Sequence, residues 1–266
     1  MAELIEVSVA GGIADVRLNR PEKYNALTLE MFCEIGDAAE RVGATPGVRA
    51  IVLSGNGRGF SAGIDTSAFG SPGGGGASGK NMFERTGKSA ANRFQRAACA
   101  WQDAPVPVIA AIHGIAYGAG LQIALGADIR IASPDAKLSV MEIKWGLIPD
   151  VGITQTLPAV VSRDVAKDLI FTGRVVSGEE ANRLGLVTRV AAEPLEAALE
   201  LAREIAGKSP DAIRLGKQLL DEAWGADAET SLPLEAALQG KAMGSKNQRE
   251  AVMANLENRT PVFEDS

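Results

Sequence analysis

Two carboxylates follow a row of small residues in one segment, GIAYGAGLQIALGADIRIASPDAKLSVMEIKWGLIPDVG, residues 114–152. Glu142 and Asp150 lie eight positions apart in this segment. The glycines and alanines before them leave backbone N–H groups open to close approach by a ligand. Backbone amides can stabilise negative charge on a carbonyl oxygen while a carboxylate removes a proton from the neighbouring carbon. The segment therefore predicts an enzyme that forms an enolate.

Two short turns are candidates for the amide donors. FSAGID, residues 60–65, follows a predicted buried strand, and its small residues let backbone N–H groups approach a ligand. AYGAGLQIALGADI, residues 116–129, begins a helix, where the first amides have no intrahelical acceptor and the helix dipole favours negative charge. Each turn taken singly is equally consistent with tight packing through small residues.

The side chains between the turns and the acids refine the expected chemistry. Gln122 follows Ala119 by three residues, so both face the same side of the helix. A neutral amide can orient a water molecule or a substrate carbonyl but cannot remove a proton. Gly146 and Pro149 interrupt any helix between the acids, so the turn can direct both into one pocket. An apolar pocket would raise the pKa of each acid, although Asp150 is also a plausible N-cap for the following VGITQTL.

Composition and charge limit the other possibilities. The 266 residues carry a formal net charge of −6, which argues against nucleic acid and anionic membranes as partners. Two cysteines do not make a disulfide framework, no secretory signal is visible and no apolar run reaches membrane-spanning length, so we expect a cytoplasmic protein. The sequence contains no cluster of cysteines and histidines that would predict a metal site, and we expect no cofactor. His113, the sole histidine, is expected to be structural.

Strands alternate with helices in the first half of the chain, which predicts an α/β fold with parallel pairing. Strands are predicted at 4–9, 13–18, 50–53, 106–112, 129–132 and 137–140, with a hairpin at Gly11-Gly12. Thr28 caps a predicted helix, a long helix is expected over 81–102, and 70–80 is expected to be a glycine-rich loop. Ser177 and Glu180 fit a capping box, and Ser209-Pro210 begins another helix. We predict a core over 1–200 with the active site, and a helical oligomerisation region over 201–266.

Several motifs in order along almost the whole chain resemble the crotonase (enoyl-CoA hydratase/isomerase) superfamily. They are RPEKYNAL, FSAGID, the GAG helix with ADIRIAS, GLIPDVG, TGRVVSGEEANRLGLVTRV and NRTPVFED. The resemblance implies a spiral of ββα units, C-terminal helices that form a trimer or a hexamer of two trimers, and an acyl-CoA thioester substrate. It implies that the amides of Ser61 and Ala119 hold the thioester oxygen. The residues expected along the substrate are Asn25, Ala26, Leu27, Ala62, Gly63, Ile64, Asp65, Gly118 and Trp145.

Three positions bear on which reaction of this superfamily the chain performs. Hydratases of the superfamily carry two glutamates; Glu142 matches the second, whereas Gln122 occupies the place of the first. The MEIKWGLIPDVG spacing resembles that of dienoyl-CoA isomerases, in which an acid at the place of Asp150 moves a proton further along the acyl chain. Those isomerases have an aspartate where Gln122 stands, so neither match is complete. We favour a double-bond isomerase, with a hydratase, a dehalogenase and a non-catalytic acyl-CoA-binding homologue or scaffold as alternatives.

Overall fold

The computed structural model describes residues 3–70, 81–85 and 89–265. Strands in the described residues are β1 (Ile5–Ala10), β2 (Ile13–Leu18), β3 (Ala50–Gly55), β4 (Val108–Ile112), β5 (Ile115–Tyr117), β6 (Ile129–Ala132), β7 (Lys137–Ser139), β8 (Val176–Ser177) and β9 (Arg189–Val190). The α-helices are α1 (Leu29–Gly43), α2 (Arg93–Gln102), α3 (Ala119–Leu125), α4 (Ile153–Thr156), α5 (Arg163–Thr172), α6 (Gly178–Leu184), α7 (Pro194–Ala206), α8 (Pro210–Ala223), α9 (Ala228–Ala242) and α10 (Lys246–Leu256). Short 3₁₀ helices include Pro21–Lys23, Thr66–Gly70, Glu142–Trp145 and Leu157–Ala159.

The larger sheet confirms the predicted α/β class. Its strand order is β1-β2-β3-β4-β6-β9, antiparallel between the first two strands and parallel in every later pair. Gly11 and Gly12 join β1 to β2 with φ of +58° and +77°, as expected for a hairpin turn that needs positive φ at both central positions. A smaller sheet has the order β5-β7-β8.

The core lies on both faces of the larger sheet because successive side chains of a strand point to opposite sides. Ile51 and Leu53 of β3 belong to a cluster that includes residues of α1, α2 and α3. Val52 belongs to a second cluster with Ala198 and Leu201 of α7. Every residue of β3 and β4 is buried, as expected for central parallel strands covered on two sides. From this helix-covered sheet, β4 leads through β5 of the smaller sheet to α3, which enters the site.

Two local predictions were wrong. The long helix expected over 81–102 begins only at Arg93, because Asn92 and Gln95 form a reciprocal capping box that fixes the start of α2. Ser177 caps α6 through the Glu180 amide as predicted, but the Glu180 carboxylate forms an ion pair with Arg174 at 2.6 Å rather than completing a capping box. The predicted glycine-rich loop lies outside the described residues from residue 71 onward.

The C-terminal helices expose large apolar side chains. Those most exposed in and around α8, α9 and α10 are Leu220, Trp224, Leu232, Met243, Leu256 and Val262. Ser209 caps α8, which has proline at its first position, as predicted. Within the described residues, no helix combines the length and apolarity that crossing a membrane requires. The division at residue 200 and the oligomerisation role of the last helices remain predictions.

Candidate active site

An open cavity of about 510 Å³ collects most of the predicted site residues. Of the predicted residues, it is lined by Ala26, Ala62, Gly63, Ile64, Asp65, Gly118, Ala119, Glu142, Trp145 and Asp150. The other lining residues were not predicted from the sequence, and they include Lys23, Leu29, Phe32, Phe83, Phe94, Met141, Leu147, Ile148 and Val151. Most of them are apolar, so much of the cavity wall is hydrophobic.

The backbone amides of Ala119 and Ile64, on the cavity wall, have no acceptor within the described residues. Ala119 is the first residue of α3, where an amide has no intrahelical partner. Ile64 forms a parallel bridge with Leu27, in which the Leu27 amide donates to Gly63 and the Asp65 amide donates to Leu27. That pattern turns the Ile64 amide away from Leu27. A Cβ atom placed on Gly63 would lie 3.6 Å from the Ala119 nitrogen, so the two turns are in close contact.

The structure contradicts the assignment of an oxyanion donor to Ser61. Its amide donates to the Ile115 carbonyl at 3.0 Å, its carbonyl accepts from the Tyr117 amide, and its hydroxyl donates to Asn25. Ser61 is fully buried beneath the cavity rather than on its wall. The free amide of this turn belongs to Ile64, three residues later. A sequence pattern locates the turn but cannot tell which of its amides the neighbouring strand occupies.

Glycines let the two turns and the first acid pack against one another. A Cβ atom on Gly120 would lie 2.6 Å from the Ser61 Cβ, closer than side chains tolerate. Gly118 has φ of +52°, and a Cβ atom there would lie 3.1 Å from the Glu142 Oε1 atom. The Glu142 carboxylate therefore lies over the residue that precedes the Ala119 amide.

Glu142 is a buried carboxylate at the start of a 3₁₀ helix, with 9% of its surface exposed. Its Oε1 atom accepts from the Gln122 Nε2 atom at 2.6 Å, whereas its Oε2 atom is buried without a hydrogen-bond partner among the described residues. Burial raises the pKa of Glu142, the nearby charge of Asp150 raises it further, and the hydrogen bond from Gln122 partly opposes the increase. Such a carboxylate is a stronger base than an exposed glutamate.

Asp150 lines the same cavity from the following turn and keeps contact with solvent. Desolvation by the surrounding residues raises its pKa. The alternative interpretation as an N-cap is wrong, because α4 begins after Gly152 and no side chain caps it. Gly146 ends the 3₁₀ helix with φ of +68°, and the chain continues irregularly to Asp150, which brings both acids to one cavity as predicted.

Gln122 is fully buried and does not line the cavity. Besides its bond to Glu142, its Oε1 atom accepts from the Val151 amide at 2.9 Å. The Gln122 side chain is therefore not placed to orient a water molecule or a substrate group within the cavity. It contacts Glu142 and the Val151 amide from behind the cavity wall.

Asn25 and Leu27 are also buried and do not line the cavity. The Asn25 amide group donates to the carbonyls of Asn56, Gly59 and Phe60, so it holds the loop that leads into the Ser61 turn. The Leu27 side chain belongs to the hydrophobic core. Neither side chain is placed to contact a substrate, and their closeness to the site comes from supporting its backbone.

Asp65 lines the cavity but is already paired. Its carboxylate accepts from the Ser67 amide and hydroxyl and forms an ion pair with Arg20 at 2.9 Å. The hydrogen bonds from Ser67, together with Arg20, lower the pKa of Asp65 to about 2. Asp65 is therefore a permanently charged wall residue and a poor proton carrier.

The apolar part of the cavity contains three phenylalanines from distant parts of the chain. The Phe94 ring lies 5.0 Å from Phe32 and 5.5 Å from Phe83, edge to face in both cases. Neither ring was predicted to face the cavity; the packing of α1 against α2 brings Phe32 and Phe94 to its wall. Trp145 lines the mouth, as expected, with Lys144 beside its ring.

Other polar groups do not add a metal or histidine site. Within residues 3–70, 81–85 and 89–265, no group of three or more histidine, cysteine, aspartate or glutamate side chains could hold a metal ion. The His113 Nε2 atom lies 2.9 Å from the Gly57 carbonyl, in agreement with a structural role. The cavity thus offers two free amides and two carboxylates with raised pKa, which suits proton transfer next to a carbonyl group.

Comparison with known proteins agrees with this chemistry. The family model for enoyl-CoA hydratase/isomerase matches residues 8–266. The chain is 37% identical over 262 residues to a Bacillus subtilis protein named "Probable enoyl-CoA hydratase", covering 97% of this chain and 98% of the relative. It is 35% identical over 266 residues to the 1,2-epoxyphenylacetyl-CoA isomerase of Escherichia coli, covering 99% of each.

A solved structure supports the same assignment. The enoyl-CoA hydratase of Bacillus anthracis superposes with a TM-score of 0.84 at 31% identity, covering 98% of this chain and 99% of that one. Hydratases and an isomerase are thus similar to this chain over almost its full length. The chain belongs to the enoyl-CoA hydratase/isomerase family, the crotonase superfamily.

Proposed function

We propose that the protein is an acyl-CoA double-bond isomerase that acts through an enolate. The observation that carries the proposal is that Glu142 and Asp150, both with raised pKa, line the same cavity as the free amides of Ile64 and Ala119. The two amides would donate hydrogen bonds to the thioester oxygen, and the acids would lie on the acyl side.

The amides make the first proton transfer possible. Removing a proton from the carbon next to a thioester leaves negative charge on the thioester oxygen, and two preorganised N–H donors stabilise that charge. Removing one such donor in other enzymes costs about 2.7–4 kcal/mol. The helix dipole of α3, whose first residue is Ala119, adds a favourable field at the same point.

Two acids allow the double bond to move. One carboxylate takes the proton from the α carbon, the electron pair spreads over the conjugated system, and the other acid returns a proton further along the acyl chain. The bond order shifts while the number of protons on the substrate is unchanged. The apolar wall formed by Phe32, Phe83 and Phe94 would hold the acyl group and keep water away from the enolate.

Two features favour isomerisation over hydration. A hydratase must hold and activate a water molecule, and the side chain at the place of the first hydratase glutamate is Gln122, an amide that lies behind the cavity. Asp150, by contrast, adds a second acid on the cavity wall. The similar proteins do not separate the two reactions, since one is named an epoxide isomerase and another a probable hydratase, so hydration is the alternative.

Incubation with 2-enoyl-, 3-enoyl- and 3,5-dienoyl-CoA thioesters tests the proposal. We expect the double bonds of the 3-enoyl and 3,5-dienoyl substrates to move into conjugation with the thioester carbonyl, without addition of water. Ultraviolet absorbance detects the conjugation, and mass spectrometry detects any added water. Glu142→Gln and Asp150→Asn should each lower kcat by roughly a hundred- to ten-thousandfold, the usual contribution of a general acid or base. Rapid formation of 3-hydroxyacyl-CoA from the 2-enoyl substrate would establish the hydratase instead. Tight acyl-CoA binding without turnover would indicate the non-catalytic homologue.

A further inference from the structure

Gln122, in helix α3, connects the Glu142 carboxylate to the backbone of the turn that carries Asp150. Its Nε2 atom lies 2.6 Å from the Glu142 Oε1 atom, and the Val151 amide nitrogen lies 2.9 Å from its Oε1 atom. We propose that Gln122 is a positioning residue that fixes Glu142 and the Asp150–Val151 turn relative to the Ala119 amide. The inference rests on the proposed function for the roles of the two acids, but the connection itself is a property of the folded chain.

The direction of each hydrogen bond follows from the chemistry of the groups. A backbone N–H can only donate, so the Val151 amide requires the oxygen end of the Gln122 side chain. The nitrogen end then faces Glu142 and must donate to it. Because both ends are used, the amide group cannot rotate without losing a partner. Gln122 therefore presents a fixed donor to Glu142, which favours the ionised carboxylate that a base needs.

The connection also sets distances within the site. Gln122 and Ala119 lie one turn apart on α3, so the oxyanion donor shares a rigid element with the side chain that holds Glu142 and the Val151 amide, next to Asp150. Glu142 precedes Val151 by nine residues of 3₁₀ helix and irregular chain, which by themselves would not fix the two acids in one arrangement. A residue that only filled space would leave the protonation of Glu142 unaffected by its removal.

The first test replaces Gln122 with methionine, which is similar in length and has no N–H donor. Q122M should lower kcat for the isomerised substrate by roughly ten- to a hundredfold, as expected for loss of a hydrogen bond to a charged group, with KM changed less than about threefold. The low-pH limb of the kcat profile should move to higher pH, because Glu142 loses a donor that favours its charged form while Asp150 still opposes that charge. Q155M is the matched control, since Gln155 is exposed on α4 and does not line the cavity.

Q122E separates the hydrogen bond with the Val151 amide from the hydrogen bond with Glu142. Its carboxylate can still accept from the Val151 amide, but it must share a proton with Glu142. We expect a larger displacement of the low-pH limb than in Q122M. Q122E also keeps the proposal testable if Q122M fails to fold, which circular dichroism would show.

A measurement without substrate separates this inference from the proposed function. In protein labelled with ¹³C at glutamate carboxyls, the Glu142 resonance is the one that Glu142→Gln removes. Its titration midpoint should lie at higher pH in Q122M than in the wild type, and this holds whichever reaction the enzyme performs. An unchanged midpoint in both Q122M and Q122E, or wild-type kcat and pH profile in Q122M, would overturn the role of Gln122.

Discussion

At the scale of single residues, the site combines groups that are costly to bury. The Glu142 Oε2 atom is shielded from solvent without a hydrogen-bond partner in the described part of the chain, and Asp150 adds a like charge nearby. Unpaired burial of this kind lowers stability, because a buried polar atom loses its contacts with water. Such a cost is common where a carboxylate must act as a base near neutral pH.

The raised pKa values predict where activity is lost on acidification. The base must be ionised, so kcat/KM should fall as pH decreases through the raised pKa of Glu142 or Asp150. We expect the low-pH limb above the range of an exposed carboxyl, measured over a pH series with the best substrate. Asp65, which lines the same cavity but whose pKa is lowered, should not contribute to this limb. A limb at the pKa of an exposed glutamate would contradict the role of burial.

The raised pKa of Glu142 also predicts how the stability of the folded chain depends on pH. A carboxyl with a raised folded-state pKa keeps its proton in the folded chain over a range where the unfolded chain has lost it. Its contribution therefore decreases as pH rises from the unfolded to the folded pKa. The free energy of unfolding of Glu142→Gln, relative to the wild type, should increase as pH rises through this range and level off above it. Urea unfolding at several pH values measures it; a difference that does not vary with pH would argue against a raised pKa.

At the scale of elements, the site depends on the close contact between the Ser61 turn and the first turn of α3. Ser61 holds the contact through its bonds to Ile115 and Tyr117, and Gly120 provides the space. The two free amides are brought together only because these backbones approach without side chains between them. Element packing therefore determines the geometry of the oxyanion site.

Gly120→Ala tests this packing. The added methyl would meet the Ser61 Cβ at 2.6 Å, so the two turns must separate. We expect a loss of about 1–3 kcal/mol in the free energy of unfolding and a fall in kcat of up to about a hundredfold from misplacement of the Ala119 amide. Gly216→Ala, in α8 with open space around it, is the control and should stabilise by about 0.5–1 kcal/mol. Equal behaviour of the two variants would contradict the proposed contact.

At the scale of the whole molecule, the single chain leaves large apolar side chains of its last three helices exposed. Trp224, Leu256 and Val262 are each more than 70% exposed. Large apolar side chains left exposed in a single chain are often buried where two copies meet. The family resemblance supplies the expected partners, two further copies of the chain, and the apolar helices are consistent with that prediction.

Light scattering on the purified protein tests the prediction of a trimer or a hexamer. Leu256→Asp should weaken assembly because it places a charge in the expected apolar interface, so smaller species should appear on dilution. Val9→Asp, on the edge strand β1 at the other end of the sequence, adds the same charge at an exposed apolar position and should not affect assembly. A monomeric wild type would contradict the prediction.

Much of this protein follows from sequence patterns that act locally. Sequence patterns locate the strands β1–β4, β6 and β7 but not the short strands β5, β8 and β9. Gly11-Gly12 fixes the hairpin, and Thr28 and Ser209 cap helices where expected. The wrong boundary of α2 arose because apolar residues between 81 and 92 resemble a helix, whereas the capping box at Asn92 starts it later.

The sequence by itself determined the family, the fold class and the two acids, because these depend on residue types at short spacings. Only the tertiary structure decided that the free amide is that of Ile64 rather than Ser61, and that Gln122 lies behind the acids. An amide is free or occupied according to a strand far away in the chain, such as β5 with Ile115 or the segment of Leu27. The direction of a buried side chain likewise depends on distant groups such as the Val151 amide, which no local pattern encodes.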